Sequence, residues 1–171
     1  IIYNTSAYET IGTLKLLNNK VDIYLPDLKY YSSNMSQKYS NAPNYFKIAT
    51  KAIEEMYNQV GSPQFNTEGI ITKGLIVRHL ILPGHIEDSK KILKYLYDTY
   101  KNNIYISIMN QYTPVRTTPY PNLCRPLTKK EYNEVIDYAY NLGIRNAFVQ
   151  DGETSKESFI PIFTNSKQNK F

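Results

Sequence analysis

Short apolar runs rich in β-branched residues alternate along this chain with longer segments whose apolar residues recur every three or four positions. That alternation restricts the fold to a parallel α/β layout. The strand-like runs are Ile1 to Asn4, Val21 to Lys29, Leu75 to Leu82, Tyr105 to Met109 and Ile144 to Val149. The longest helical segment runs from Ala42 to Val60, with Phe46, Ala49, Ile53, Met56, Tyr57 and Val60 on one face. Ser40 or Asn41 is placed to cap it, and Gly61 with Pro63 to end it. A short helix carries Ile11, Leu14 and Leu17 behind a Thr10 cap, and another starts near Asp88 or Ser89 with Ile92, Leu93, Leu96, Tyr97 and Tyr100 inward. Thr128 and Glu131 form a capping box before a helix presenting Val135, Ile136, Ala139 and Leu142, which Gly143 closes.

Between these segments, Tyr30 to Asn41 reads as loop, Gln64 to Gly74 as a small hairpin, and Val115 to Pro126 as an irregular excursion. The tail after Gln150 is polar except for Phe159 to Phe163, which is expected to pack on the body. We expect a single domain over residues 1–171. Right-handed crossovers leave two layouts, an open doubly wound sheet or an arc of a (β/α) barrel. No Gly-x-Gly-x-x-Gly follows a strand, which weighs against a dinucleotide fold. Polar residues gather after successive strands, at Asn4-Thr5, Asp27 to Lys29, Pro83-Gly84 and Gln111, as they do where barrels build active sites.

The segment Val21 to Tyr31 carries the densest chemistry. Ile23, Leu25, Asp27 and Lys29 share one parity, so one face of an extended strand begins apolar and ends in a carboxylate and an ammonium. Pro26 has no N–H to give to a ladder and suits a strand tip.

Composition excludes several classes. The net charge of +5 is spread over many lysines rather than gathered in a block, so no nucleic-acid partner is expected. No apolar run is long enough to span a bilayer and no signal-peptide pattern appears, which leads us to expect a cytoplasmic protein with no membrane association. Cys124 is the single cysteine and cannot alone hold zinc or an iron–sulfur cluster. His79 and His85 read as structural, since a metal site needs converging partners.

Four motifs in order resemble one family. They are Asn4-Thr-Ser-Ala-Tyr8, Tyr24-Leu-Pro-Asp-Leu-Lys29, Val77-Arg-His-Leu-Ile-Leu-Pro-Gly84 and Ser107-Ile-Met-Asn-Gln-Tyr112. Together they resemble the third to sixth strands of the radical S-adenosylmethionine proteins related to pyruvate formate-lyase activating enzyme, in an uncharacterised activating-enzyme-like branch. The resemblance implies an incomplete (β/α) barrel of about four parallel strands with outer helices. It also implies a parent oxidoreductase with a [4Fe–4S] cluster and S-adenosylmethionine, which it would cleave to a 5′-deoxyadenosyl radical, acting on a glycyl-radical enzyme or another protein substrate.

The family's Cys-x3-Cys-x2-Cys loop and Gly-Gly-Glu are not in this sequence. The chain is therefore expected to be the C-terminal part, inactive alone, with no catalytic or metal-ligating residue of its own and no firm hold on either cofactor. The resemblance places Asn4, Thr5, Asp27, Lys29, Arg78 and Gln111 toward S-adenosylmethionine, with Tyr112 an alternative to Gln111. Asn4 stands where the family has Asp, which removes a charge. An alternative reading is a non-catalytic α/β module that binds a nucleotide or an anion through Lys29 and Arg78. Self-association of half barrels is expected from the strand faces such a fragment would leave uncovered.

Overall fold

The computed structural model describes residues 1–114, 119–151 and 156–159, with the backbone alone at residue 151 and over residues 156–159. Its elements in chain order are β1 (Ile2–Thr5), α1 (Ile11–Lys15), β2 (Ile23–Pro26), α2 (Ser33–Ser40), α3 (Tyr45–Val60), β3 (Gln64–Phe65), β4 (Ile71–Leu80), α4 (Ile86–Tyr100), β5 (Tyr105–Met109), α5 (Lys129–Leu142), β6 (Ala147–Asp151) and β7 (Lys156–Phe159). A 3-10 turn at Pro121–Cys124 precedes α5.

The sheet runs β1-β2-β4-β5-β6-β7, with β3 pairing the early part of β4. Strands β1, β2, β4, β5 and β6 are parallel to their neighbours, while β3 and β7 are antiparallel. The expected count of about four parallel strands is thus five.

The parallel strands lie side by side in chain order, so successive right-handed crossovers all return on the same side. Burial agrees with this. Tyr24, Leu28, Leu75, Val77, Ile81, Ile106, Ile108, Ala147 and Val149 form one core cluster with residues from α1, α3, α4 and α5. Of the opposite parity, Leu25, Ile76, Arg78, Leu80 and Met109 are only partly buried. Helices on one face of a sequentially ordered parallel sheet make a barrel arc, which removes the doubly wound alternative.

Four segments differ from the sequence reading. The segment read as loop between Tyr30 and Asn41 contains α2. Its residues are mediocre helix formers, but Ser32 caps the Met35 N–H, and the Asp88 carboxylate accepts the N–H groups of Tyr31 and Ser32 at 2.9 Å each. A residue 57 positions from Tyr31 therefore supports that helix start.

Helix α3 begins at Tyr45 rather than Ala42, because Asn44 takes the left-handed conformation after Pro43. Tyr45 joins the core, whereas Phe46, expected to be central, is half-buried between Tyr31 and Tyr95. Helix α4 starts at Ile86, a little before the expected start near Asp88 or Ser89, so both of those residues lie in its first turn.

The hairpin over 64–74 forms, but its second strand continues without a break into the buried run as β4. Gly74 allows this, with φ of 140° and an added Cβ only 2.9 Å from the Pro63 backbone. The expected packing of Phe159 to Phe163 lies largely outside the described residues, although residues 156–159 pair with β6 as β7.

Candidate functional site

The parallel strands deliver their C-terminal ends to one rim, and the tip of β2 is pinned there from both sides. The Asp27 N–H donates to the Thr5 carbonyl at 2.8 Å, and the Leu28 N–H donates to the Arg78 carbonyl at 2.9 Å. Asp27 and Arg78 are bridge partners across β2 and β4, so parallel pairing brings their side chains to the same face. Arg78 Nε donates to Asp27 Oδ1 at 2.8 Å, and Arg78 Nη2 lies 2.6 Å from the same oxygen. Lys29 Nζ stands 3.6 Å from Asp27 Oδ2. One carboxylate therefore sits between two cations and leaves the cluster net positive.

Beside this cluster opens a cavity of about 260 Å³, lined by the polar side chains of Asp27, Lys29, Tyr30 and Ser40 together with Leu80, Leu82, Met109 and Tyr112. The Tyr30 and Ser40 hydroxyls are 2.7 Å apart, so α2 reaches over the strand tips through a hydrogen bond. The Tyr112 hydroxyl donates to the Leu123 carbonyl at 2.9 Å, which ties the chain after β5 to the 3-10 turn.

Tyr45 organises the rim from below. Its hydroxyl is 2.7 Å from the Asp27 carbonyl and 2.9 Å from that of Ser6, and it accepts the Lys29 N–H at 3.1 Å. Burial raises its pKa well above the ordinary tyrosine range, so it remains a neutral hydroxyl. The sequence reading overlooked Tyr45, yet its spacing to Ala49, Ala52 and Met56 already placed it on the inner face of α3.

The six residues singled out from sequence divide into two groups. Asp27, Lys29 and Arg78 come together at the rim; Asp27 and Lys29 line the cavity, while Arg78 holds Asp27 from the neighbouring strand. Asn4, Thr5 and Gln111 are not among the cavity residues. Asn4 is exposed beside Leu25 in the register. Thr5 turns to the helix side, where its hydroxyl hydrogen-bonds the Glu9 carboxylate and accepts the Ala7 N–H at 3.2 Å. Gln111 is exposed, and Tyr112 takes the place at the cavity.

The two histidines lie elsewhere. His79 is buried on the helix side, with Nδ1 2.8 Å from the Leu28 carbonyl, and His85 Nε2 is 2.9 Å from the Tyr39 hydroxyl. Among the described residues, no three His, Cys, Asp or Glu side chains converge as a metal site. Cys124, the one cysteine of the chain, is exposed near the Tyr120 carbonyl, so the residues present do not supply the thiolates of an iron–sulfur cluster.

No protein-family model matches this chain. It is 28% identical over 148 residues to an uncharacterised protein of Methanocaldococcus jannaschii. The match covers 84% of this chain and 39% of that protein, so the chain spans well under half the length of its curated relative.

Among solved structures it resembles a domain of the pyruvate-formate lyase-activating enzyme from Bacteroides vulgatus. The TM-score is 0.59 at 13% identity, with 88% of this chain and 82% of that one covered. The likeness is one of fold: a parallel sheet of about five strands with flanking helices, as in a partial barrel. No helix among the described residues is long and apolar enough to cross a membrane.

Proposed function

We propose that this chain is the later part of the barrel of a radical S-adenosylmethionine protein of the activating-enzyme kind, and that its Asp27 cavity faces the cofactor. The observation that carries the reading is the Asp27–Arg78 pair, which joins two strand tips beside a cavity on the C-terminal rim of a barrel arc. The order of the four sequence motifs and the fold of the activating-enzyme domain support it.

In this reading Lys29, held only loosely by Asp27, neutralises a carboxylate of the cofactor. Asp27 accepts hydrogen bonds from hydroxyl groups, and Arg78 holds that carboxylate in place. Leu80, Leu82 and Met109 give the apolar wall against which a flat ring packs. The iron–sulfur cluster does not fit the residues of this chain and would be held by residues outside 1–171. The whole protein would be an oxidoreductase that acts on a protein partner such as a glycyl-radical enzyme, and the exposed strand face would favour self-association of this portion alone.

The test is calorimetric titration of the 171-residue chain with S-adenosylmethionine and S-adenosylhomocysteine. Weak saturable binding that Lys29→Ala reduces at least fivefold is the expected result. Equal binding by Lys29→Ala would remove the cavity from consideration. Absence of a three-cysteine loop anywhere in the full-length protein would remove the radical reading and leave a module that binds a nucleotide or an anion.

A further inference from the structure

A second cavity, of about 290 Å³, opens at the tips of β5 and β6 against the first turn of α5. Asn110, Thr128, Lys129, Tyr132, Asn133 and Gln150 line it. Among the described residues it shares no lining residue with the Asp27 cavity, and none of those lining it is acidic.

Gln150 is the decisive residue. It is only 7% exposed, yet it contributes to the cavity wall. Its Oε1 accepts the Asn110 N–H at 3.0 Å, which fixes the two ends of the carboxamide. Its backbone N–H donates to the Tyr132 hydroxyl at 2.7 Å, and that hydroxyl lies 3.3 Å from the Ile108 carbonyl. The Gln150 side-chain NH2 group has no acceptor among the described residues. The residue is more than nine-tenths buried, yet this donor is not sealed in the core: it stands at the cavity wall, where a ligand acceptor can reach it.

The helix supplies donors of the same kind. Helix α5 has 14 residues. Thr128 Oγ1 accepts the Glu131 N–H at 3.2 Å, and the Tyr132 N–H donates to the Thr128 carbonyl at 3.0 Å. The N–H groups of Lys129 and Lys130 come before that ladder, at the positive end of the helix dipole. The Glu131 carboxylate, which would oppose an anion, is already held by Arg125 and by the Gly84 N–H.

The geometry points to a binding site at the start of α5 for a small molecule bearing an anionic oxygen group, a carboxylate or a phosphate, which accepts from the Gln150 carboxamide, the first-turn N–H groups and Lys129. This site stands independently of the cofactor reading for Asp27.

The experiment is an amide NMR titration of the 171-residue chain with inorganic phosphate and, separately, with acetate. Saturable shifts of the Gln150 side-chain NH2 and of the Lys129 and Lys130 amides are expected with at least one probe, and the probe that saturates identifies the head group. Gln150→Glu keeps the acceptor for the Asn110 N–H but replaces the free donor with a charged oxygen, so affinity should fall at least tenfold. Lys129→Gln, at an exposed position, should weaken binding about threefold and decides the matter if Gln150→Glu does not fold. Shifts that never saturate, shifts equally large at the first turns of α3 and α4, or unchanged affinity in the folded variants would overturn the site.

Discussion

Arg78 places two nitrogens on a single oxygen of Asp27, at 2.8 and 2.6 Å, and leaves the other oxygen facing Lys29 at 3.6 Å. The carboxylate is thus shared unequally, with a tight contact to the neighbouring strand and a loose one to the residue beside the cavity. The tight contact acts as structure and the loose one leaves a cation available.

Removing Asp27 should therefore cost stability as well as charge balance. Its side chain is 17% exposed and that of Arg78 is 28% exposed, so neither is fully hydrated. Asp27→Ala should destabilise the fold by about 1–3 kcal/mol in urea denaturation, because the guanidinium is left partly buried without its acceptor. Arg78→Ala should cost a similar amount, and the double variant less than the sum of the two. Additive losses would show that the pair does not interact in solution.

Stability should fall in mild acid through His79. Its imidazole is buried, and burial depresses its pKa in the fold below the ordinary value of 6.5, outweighing the opposing effects of the Leu28 carbonyl, Asp88 and Asp27. The unfolded chain takes up the proton first. Stability is therefore complete above about pH 6.5 and declines as pH falls toward the depressed folded value, by up to about 1.4 kcal/mol per pH unit. Urea midpoints measured between pH 8 and pH 5 should show this slope, and His79→Leu should flatten it. An unchanged slope in the variant would assign the effect to other groups.

Glu131 joins three segments through one carboxylate. It accepts from Arg125 Nη1 and Nη2 at 2.7 Å each, from the Thr128 N–H at 3.0 Å and from the Gly84 N–H at 2.8 Å. The Arg125 hydrogen bonds, followed by those from Thr128 and Gly84, hold its carboxyl well below the usual carboxylate range against the opposing effect of burial. Its contribution to stability is therefore present above the unfolded value of about 4.5 and is lost as pH falls toward the depressed folded value. Glu131→Ala should cost about 1–2 kcal/mol at pH 7, as expected for a lost capping box, and the loss should shrink below pH 4. Thermal melts at both pH values check this.

Gly84 should not tolerate a side chain. Its φ is 75°, and an added Cβ would lie 2.9 Å from the Asn122 carboxamide. Gly84→Ala should cost about 1–2 kcal/mol from backbone strain alone. Adding Asn122→Ala should recover only the part due to the contact. Full recovery in the double variant would mean that the left-handed backbone carries no penalty here.

The alternation of buried runs and amphipathic segments was enough to determine a parallel α/β fold, because strand and helix periods differ in ways that local chemistry enforces. The same parity rule put Asp27 and Lys29 on one face, and the Thr128–Glu131 spacing announced the start of α5 correctly. Tertiary structure decided what local pattern cannot carry. Strand order, which placed α1, α3, α4 and α5 on one face, emerges only from the pairings, and α2 forms where a distant Asp88 meets the N–H groups at its start. Arg78 reaches Asp27 across 51 residues of sequence, and Tyr112 rather than Gln111 meets the cavity. Such contacts depend on register and packing between segments far apart in the chain, and no sequence period records them.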